Sequence, residues 1–147
     1  MIYWIIAAIL FGGSAWIHAS WYSGMTGWTF VHAPFLIGLI VGTYLMLWWT
    51  TLFASRLTVW EAKYRGIRLP RGVVLRGLYY HAAHYVPVGI MAIVTTGGYV
   101  RLFHRGVFTF QSATPYLWVL SGEVIVGAMY LFFTYWAAMR NMMYANR

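Results

Sequence analysis

Four long apolar runs, separated by short polar connections, dominate the pattern of the chain. A helix that crosses the hydrocarbon core of a bilayer, about 30 Å thick, needs about 20 predominantly apolar residues. The runs meet this length and predict four membrane-spanning helices, over residues 2–21, 30–54, 78–100 and 116–138. Short connections make consecutive helices neighbours that run in opposite directions. We therefore expect residues 1–147 to form one all-α integral membrane domain, an antiparallel up-down bundle.

The composition excludes several classes of protein. Hydrophobic residues make up 62% of the chain and charged residues 8%, whereas a soluble domain has about 25% charged residues. Disordered chains are poor in apolar and aromatic residues, so disorder is excluded too. The chain has no cysteine, which excludes disulfides, thiolate metal sites and iron–sulfur clusters. The first basic residue is Arg56, so the first run lacks the positive start of a signal peptide and is expected to stay as a helix.

The positive charges lie mainly in one connection and predict the orientation. Six basic residues lie between the second and third runs: Arg56, Lys63, Arg65, Arg68, Arg71 and Arg76. Because basic residues stay on the cytoplasmic side, both termini are expected there, in a multi-pass protein of the bacterial inner membrane. These charges indicate anionic lipid as a partner at the cytoplasmic face. The same rule accounts for most of the net charge of +8, so no nucleic-acid partner is expected.

The same connection carries the pattern of a helix start. Thr58 and Glu61 have the spacing of a capping box, in which the two side chains bond the free amides of a first turn. Trp60 and Tyr64 suit the headgroup level, and Pro70 is expected to end the helix. The sequence therefore predicts a short interfacial helix in this cytoplasmic connection.

Small residues predict where helices pack closely. Gly38 and Gly42 form a GxxxG pair in the second run, and Gly12 and Gly13 lie in the first. Such residues let helix backbones approach each other in lipid. The partner of the GxxxG pair is either a neighbouring span or another subunit.

Ionisable residues inside the spans are costly and are the candidates for function. Glu123 is the only acid in a span, and it must be protonated, paired or hydrated. We expect it to handle a proton or to accept a hydrogen bond from a quinol hydroxyl near the outer face, where His18 and His32 are also predicted. The alternative is a structural hydrogen bond from Glu123 to Ser14, His18 or an arginine.

Two further histidines lie near the inner end of the third run. His81 and His84 are three residues apart, which puts them on one helix face. They suit one metal ion, or one haem ligand with a hydrogen-bonding neighbour; the alternative is a pair of interfacial histidines. Pro87 removes the amide that would bond the carbonyl of Ala83 and predicts a break in the helix.

Haem b is the cofactor that best accounts for several histidines in a small bundle without cysteine. The candidate haem or metal ligands are His18 and His32 on the outer side and His81 and His84 on the inner side. Arg101 and Arg76 lie near these two levels and suit the haem propionates. The function expected is therefore that of an electron-carrying subunit, associated with other membrane subunits in a larger electron-transfer complex, with Glu123 near bound quinol.

An accessory role is the alternative interpretation. A respiratory or photosynthetic complex also contains small structural subunits, whose histidines are structural or contact pigment, lipid or metal. A hydrolase is not expected, because aspartate is absent and Glu123 is the only acid in a span. The phosphate-binding and dinucleotide-binding glycine motifs are absent as well.

Overall fold

The computed structural model describes residues 2–26, 33–109 and 113–145, and in this part of the chain all regular structure is helical. Five α-helices follow one another. Their bounds are Ile2–Thr26 (α1), Ala33–Tyr64 (α2), Arg71–His81 (α3), Tyr85–His104 (α4) and Ala113–Ala145 (α5). A short 3₁₀ turn, Ala82–His84, joins α3 to α4.

Among the described residues, four helical segments are long and apolar enough to cross a membrane, which confirms the prediction of a multi-pass membrane protein. They are α1, α2, α5 and the continuous segment Arg71–His104 that contains α3, the 3₁₀ turn and α4. Each helix extends beyond its predicted span, and α2 continues ten residues past residue 54. The predicted limits followed the apolar runs, whereas backbone hydrogen bonding continues into polar residues at the interface.

The predicted interfacial helix that begins at Thr58 is wrong. Thr58 lies inside α2, where it is fully buried and its hydroxyl donates to the carbonyl of Ala54. The same hydroxyl lies 2.7 Å from the hydroxyl of Tyr135 on α5. Glu61 is paired with Arg65 one turn later in the chain, at 2.6 Å. Thr58 therefore contributes to the contact of α2 with α5, and Glu61 forms an ion pair at the surface.

Glycines in the left-handed conformation end two helices. Gly66 has a φ of 72°, and its amide donates to the carbonyl of Lys63 while the amide of Ile67 donates to Ala62. Gly106, with a φ of 73°, repeats this arrangement at the end of α4. Glycine adopts this conformation without a Cβ penalty. The connection 65–70 thus turns away from α2 at Gly66, and Pro70 precedes the first turn of α3.

The predicted break near Pro87 is confirmed. The α-helical pattern is interrupted by the 3₁₀ turn at Ala82–His84, and Pro87 lies in the first turn of α4. Proline is tolerated there because the amide it lacks is one that a helix start leaves unbonded. The break separates α3, which carries His81, from α4, which carries Val88 and Thr95.

Close packing involves α1 and its two neighbours, α2 and α4. A Cβ on Gly12 would lie 2.9 Å from the Cα of Ile40, and a Cβ on Gly89 would lie 2.9 Å from Leu10. The GxxxG pair of α2 has a different environment. Within the described chain, no atom of another helix lies within 4 Å of a Cβ on Gly38 or Gly42.

Helix α5 packs at its two ends. At one end Met139 and Met143 are buried against Val74 and Leu78 of α3, beside the arginine-bearing connection; we call this the arginine-rich end. At the opposite end Tyr116 is buried with residues of α1 and α4. The central part of α5 is largely exposed to the surroundings of the protein.

An aromatic cluster occupies that opposite end. The rings of Tyr99 and Tyr116 are stacked with centroids 3.9 Å apart, and Trp21 contacts both edge to face. Trp21 and Tyr116 are only 7% and 4% exposed. These buried side chains hold α1, α4 and α5 together at this end of the bundle.

Candidate functional site

Polar side chains near the aromatic cluster pair across the helices. The Nδ1 atom of His18 on α1 lies 3.0 Å from the hydroxyl of Tyr116 on α5. One turn before His18, the hydroxyl of Ser14 lies 3.0 Å from that of Thr96 on α4. The first contact orients His18, and the two contacts together bring polar groups of α1, α4 and α5 to one level of the bundle.

Glu123 is the acid of this site, and its two oxygens differ. The hydroxyl of Thr95 on α4 donates a hydrogen bond to Oε1. Oε2 is buried and has no hydrogen-bond partner among the described residues. A buried carboxylate oxygen without a donor is costly. Oε2 therefore marks a place where a proton, a water molecule or a ligand hydroxyl stabilises the protein.

A cavity of about 340 Å³ lies beside this carboxylate, and we call it the Glu123 cavity. Its polar lining is formed by Glu123, His18, Ser14 and Thr96. The remaining wall is apolar, with Phe11, Val88, Met91 and Leu120 among its residues. An apolar wall with a few convergent polar groups is typical of sites for small organic ligands.

The structure thus brings together Glu123 and His18, two residues singled out in the sequence. The alternative predicted for Glu123 was a bond to Ser14, His18 or an arginine, and the partner found is Thr95. His32 lies outside the described residues. Arg101 is exposed on α4, and the Nδ1 atom of His104 lies 2.7 Å from the carbonyl of Val100 in its own helix.

A second polar cluster lies nearer the arginine-rich end. The Nε2 atom of His81 lies 2.9 Å from the hydroxyl of Thr134, and Nδ1 of His84 lies 2.7 Å from the hydroxyl of Tyr130. The two imidazole rings are 5.3 Å apart, so the prediction that they share a face is confirmed. Both histidines face α5, while Arg76 is exposed on α3.

His18 of the first cluster lies too far from the two histidines of the second to share one ion or one haem with them. Tyr116 and Tyr130 are fourteen residues apart on α5, which is about 21 Å at about 1.5 Å per residue. Over the ranges that the structure describes, no three of the residues His, Cys, Asp and Glu lie close enough to hold a metal ion. Each of His18, His81 and His84 has one ring nitrogen next to a hydroxyl. The other nitrogen is the one available to a ligand, as in metal-bound histidines.

Sequence reasoning missed the partners of these groups, which are Thr95, Tyr116, Tyr130 and Thr134. A signal was present, because Tyr116, Glu123 and Tyr130 recur every seven residues and so share one face of α5. Aromatic residues are common near the ends of spans for their interfacial position alone, so Tyr116 did not stand out. Hydroxyl side chains give little signal in a helix, since they commonly bond their own backbone.

Comparison with family models, curated proteins and solved structures finds no match for this chain. Its function is therefore inferred from the two polar clusters and the cavity.

Proposed function

We propose that the chain is a membrane-embedded subunit of an electron-transfer complex and that the Glu123 cavity binds the head group of a quinol. The observation that carries this proposal is the unpaired Oε2 of Glu123 beside an apolar cavity. A quinol is a lipid-soluble molecule with two hydroxyl groups on opposite sides of an apolar ring. One hydroxyl donates to Oε2 of Glu123, and the other oxygen is paired with the free nitrogen of His18.

The chemistry of the site follows from these two contacts. Oxidation of a quinol to a quinone releases two electrons and two protons. Glu123 accepts one proton at Oε2, and the imidazole of His18 accepts the other. Haem b, the class of cofactor that we propose for the complex, would supply the one-electron chemistry that takes up the two electrons one at a time.

Haem b remains a prediction from the residues. The candidate ligands within this chain are His84 or His81 near the arginine-rich end and His32, which the sequence predicts near the outer face. His18 serves the quinol instead, because its single free nitrogen cannot bind iron and a quinol oxygen at once. At the arginine-rich end one of the two histidines would bind the iron, and the other would be its hydrogen-bonding neighbour. A reduced-minus-oxidised absorption spectrum of the purified chain tests this, since haem b gives an α-band on reduction and a protein without haem gives none.

The arrangement in the membrane is the second part of the proposal. Contacts pair Trp4 with Tyr79 and Trp21 with Phe103, so residue numbers rise together along α1 and the segment that ends at His104. Contacts of Thr95 with Glu123 and of His84 with Tyr130 run in opposite directions on α4 and α5. These pairs support an up-down bundle. We place its two termini and its arginine-rich end at the cytoplasmic face of the bacterial inner membrane, next to anionic lipid, because basic connections stay in the cytoplasm.

Titration of a short-chain quinol into the chain in lipid nanodiscs tests the binding proposal. We expect Glu123→Gln to weaken binding by about tenfold to a hundredfold, since a hydrogen bond to a charged group contributes about 1.5–3 kcal/mol and about 1.4 kcal/mol is tenfold in affinity. Glu61→Gln is the matched control, because Glu61 is bound to Arg65 far from the cavity. Equal affinity of the Glu123 variant and the control would contradict the proposal.

A structural accessory subunit is the second candidate. The observation that favours it is the open environment of Gly38 and Gly42 together with the exposed middle of α5, which leaves two apolar faces for neighbouring subunits. A preparation that is colourless and binds no quinol would support this function and exclude the first.

A further inference from the structure

A second cavity lies on the other side of the α4–α5 contact. It has a volume of about 200 Å³, and its polar lining includes His81, Tyr85 and Tyr135, with Thr50 and Thr51 of α2. We call it the His81 cavity. Its lining includes the titratable imidazole of His81, and the lining of the Glu123 cavity includes the carboxyl of Glu123 and the imidazole of His18.

The two cavities approach each other closely along α4. Tyr85 lines the His81 cavity and Val88 lines the Glu123 cavity, and three residues correspond to about 4.5 Å along a helix. On α5, Leu131 lines the His81 cavity one turn after Gly127. Only about one helical turn of protein therefore separates the two spaces.

Between the two cavities, α4 and α5 meet in an apolar contact. A Cβ added to Gly127 would lie 2.8 Å from Cγ1 of Val88, so the valine side chain fills the space over the buried glycine. Val88 lies at the middle of the span Arg71–His104. Titratable groups therefore lie on both sides of an apolar constriction near the centre of the membrane.

The geometry points to a proton pathway in two halves, one in each cavity, that is closed by the contact of Val88 with Gly127. Water in the two cavities carries a proton from the carboxyl of Glu123 to the imidazole of His81, or in the reverse direction, when the contact opens. Ionisable residues inside spans are typical of proton relays, and apolar constrictions close pathways by excluding water. The inference goes beyond quinol binding, because proton transfer through the contact requires no quinol.

Proton flux through the full chain in phosphatidylcholine–phosphatidylglycerol liposomes tests the barrier. The flux is driven by a potassium diffusion potential and read with a pH-sensitive dye inside the liposomes, without quinol. We expect wild-type liposomes to match protein-free liposomes and Val88→Ala to raise the flux by about tenfold, which corresponds to about 1.4 kcal/mol of the barrier. Adding Glu123→Gln to Val88→Ala is expected to return the flux to the wild-type level.

Val94→Ala is the matched control, because Val94 is on the same helix and is 64% exposed. It is expected to leave the flux unchanged. Val88→Thr keeps the shape of the side chain and adds a hydroxyl that holds water, so it is expected to raise the flux even where the alanine variant fails to fold. Two results with the Val88 variants would overturn the inference: a wild-type flux equal to that of Val88→Ala, or an unchanged flux in both variants. An equal rise in Val94→Ala, or a rise that persists after Glu123→Gln is added, would overturn it as well.

Discussion

Glycines that look alike in the sequence have different surroundings in the structure. Gly12 lies against the backbone of Ile40, whereas among the described residues nothing occupies the space over Gly42. The sequence predicted close packing from both. A GxxxG pair indicates that another helix can come close to this face, but it does not identify that helix.

Gly12→Ala is expected to destabilise the protein by about 1–3 kcal/mol, because the new Cβ would meet the Cα of Ile40 at 2.9 Å and the helices must shift. The measurement is unfolding of the purified protein in mixed micelles. Gly42→Ala is the control and is expected to be neutral or slightly stabilising, since alanine has the higher helix propensity. Equal losses for the two variants would show that the contact of α1 with α2 is wrong.

The candidate site could be predicted in part at the residue scale. Glu123 and His18 stand out because ionisable groups in apolar runs are rare, and the structure places both at one cavity. Thr95 could not be chosen in this way. The hydroxyls of Thr50 and Thr51 bond their own helix backbone, so the residue type alone does not show which threonine reaches another helix.

The ends of helices show which short signals are reliable at the element scale. Thr58 and Glu61 matched a capping box, but they lie within α2. The helix ends at Tyr64, and the chain turns away from it at Gly66, where the required φ of 72° favours glycine. The second span was predicted to end at residue 54 because the apolar run ends there, whereas the helix continues at the interface with polar side chains.

Thr58→Val is expected to destabilise the protein by about 1 kcal/mol, because it removes the hydrogen bond between Thr58 and Tyr135 that joins α2 to α5. Unfolding in mixed micelles measures the loss. Thr50→Val is the matched control on the same helix, since its exposed hydroxyl bonds only the carbonyl of Met46. A loss for Thr50→Val as large as for Thr58→Val would contradict the contact between α2 and α5.

At the scale of the whole molecule, the number of spans could be predicted and the packing could not. Length and hydropathy indicate a span whatever surrounds it, and four were found. The sequence does not show which face of a span packs against another helix, because lipid is as apolar as a leucine side chain. Trp21 and Trp118 thus resemble each other in sequence, yet one is 7% exposed and the other 75%.

The proposed orientation gives a prediction that uses the absence of cysteine from the chain. Single cysteines are introduced as Lys63→Cys and Val107→Cys, at exposed positions near opposite ends of the bundle. A thiol reagent that does not cross membranes is expected to label the Val107 variant in intact cells. The Lys63 variant is expected to react only after the membrane is opened, because basic connections stay in the cytoplasm.

The cysteine-free parent chain is the control for background labelling. Reaction of the Lys63 variant in intact cells, with protection of the Val107 variant, would reverse the proposed orientation. It would also move the Glu123 cavity to the cytoplasmic half of the membrane.

Photo-crosslinking with a short-chain quinone that carries an azide tests the proposed site most directly, because it locates the ligand. The account predicts label on the segments that line the cavity, within residues 11–18, 88–96 and 120–124, and much less label in Glu123→Gln. Label confined to exposed residues of α5 such as Trp118 and Phe132, or equal labelling of the Glu123→Gln variant at the cavity, would contradict it.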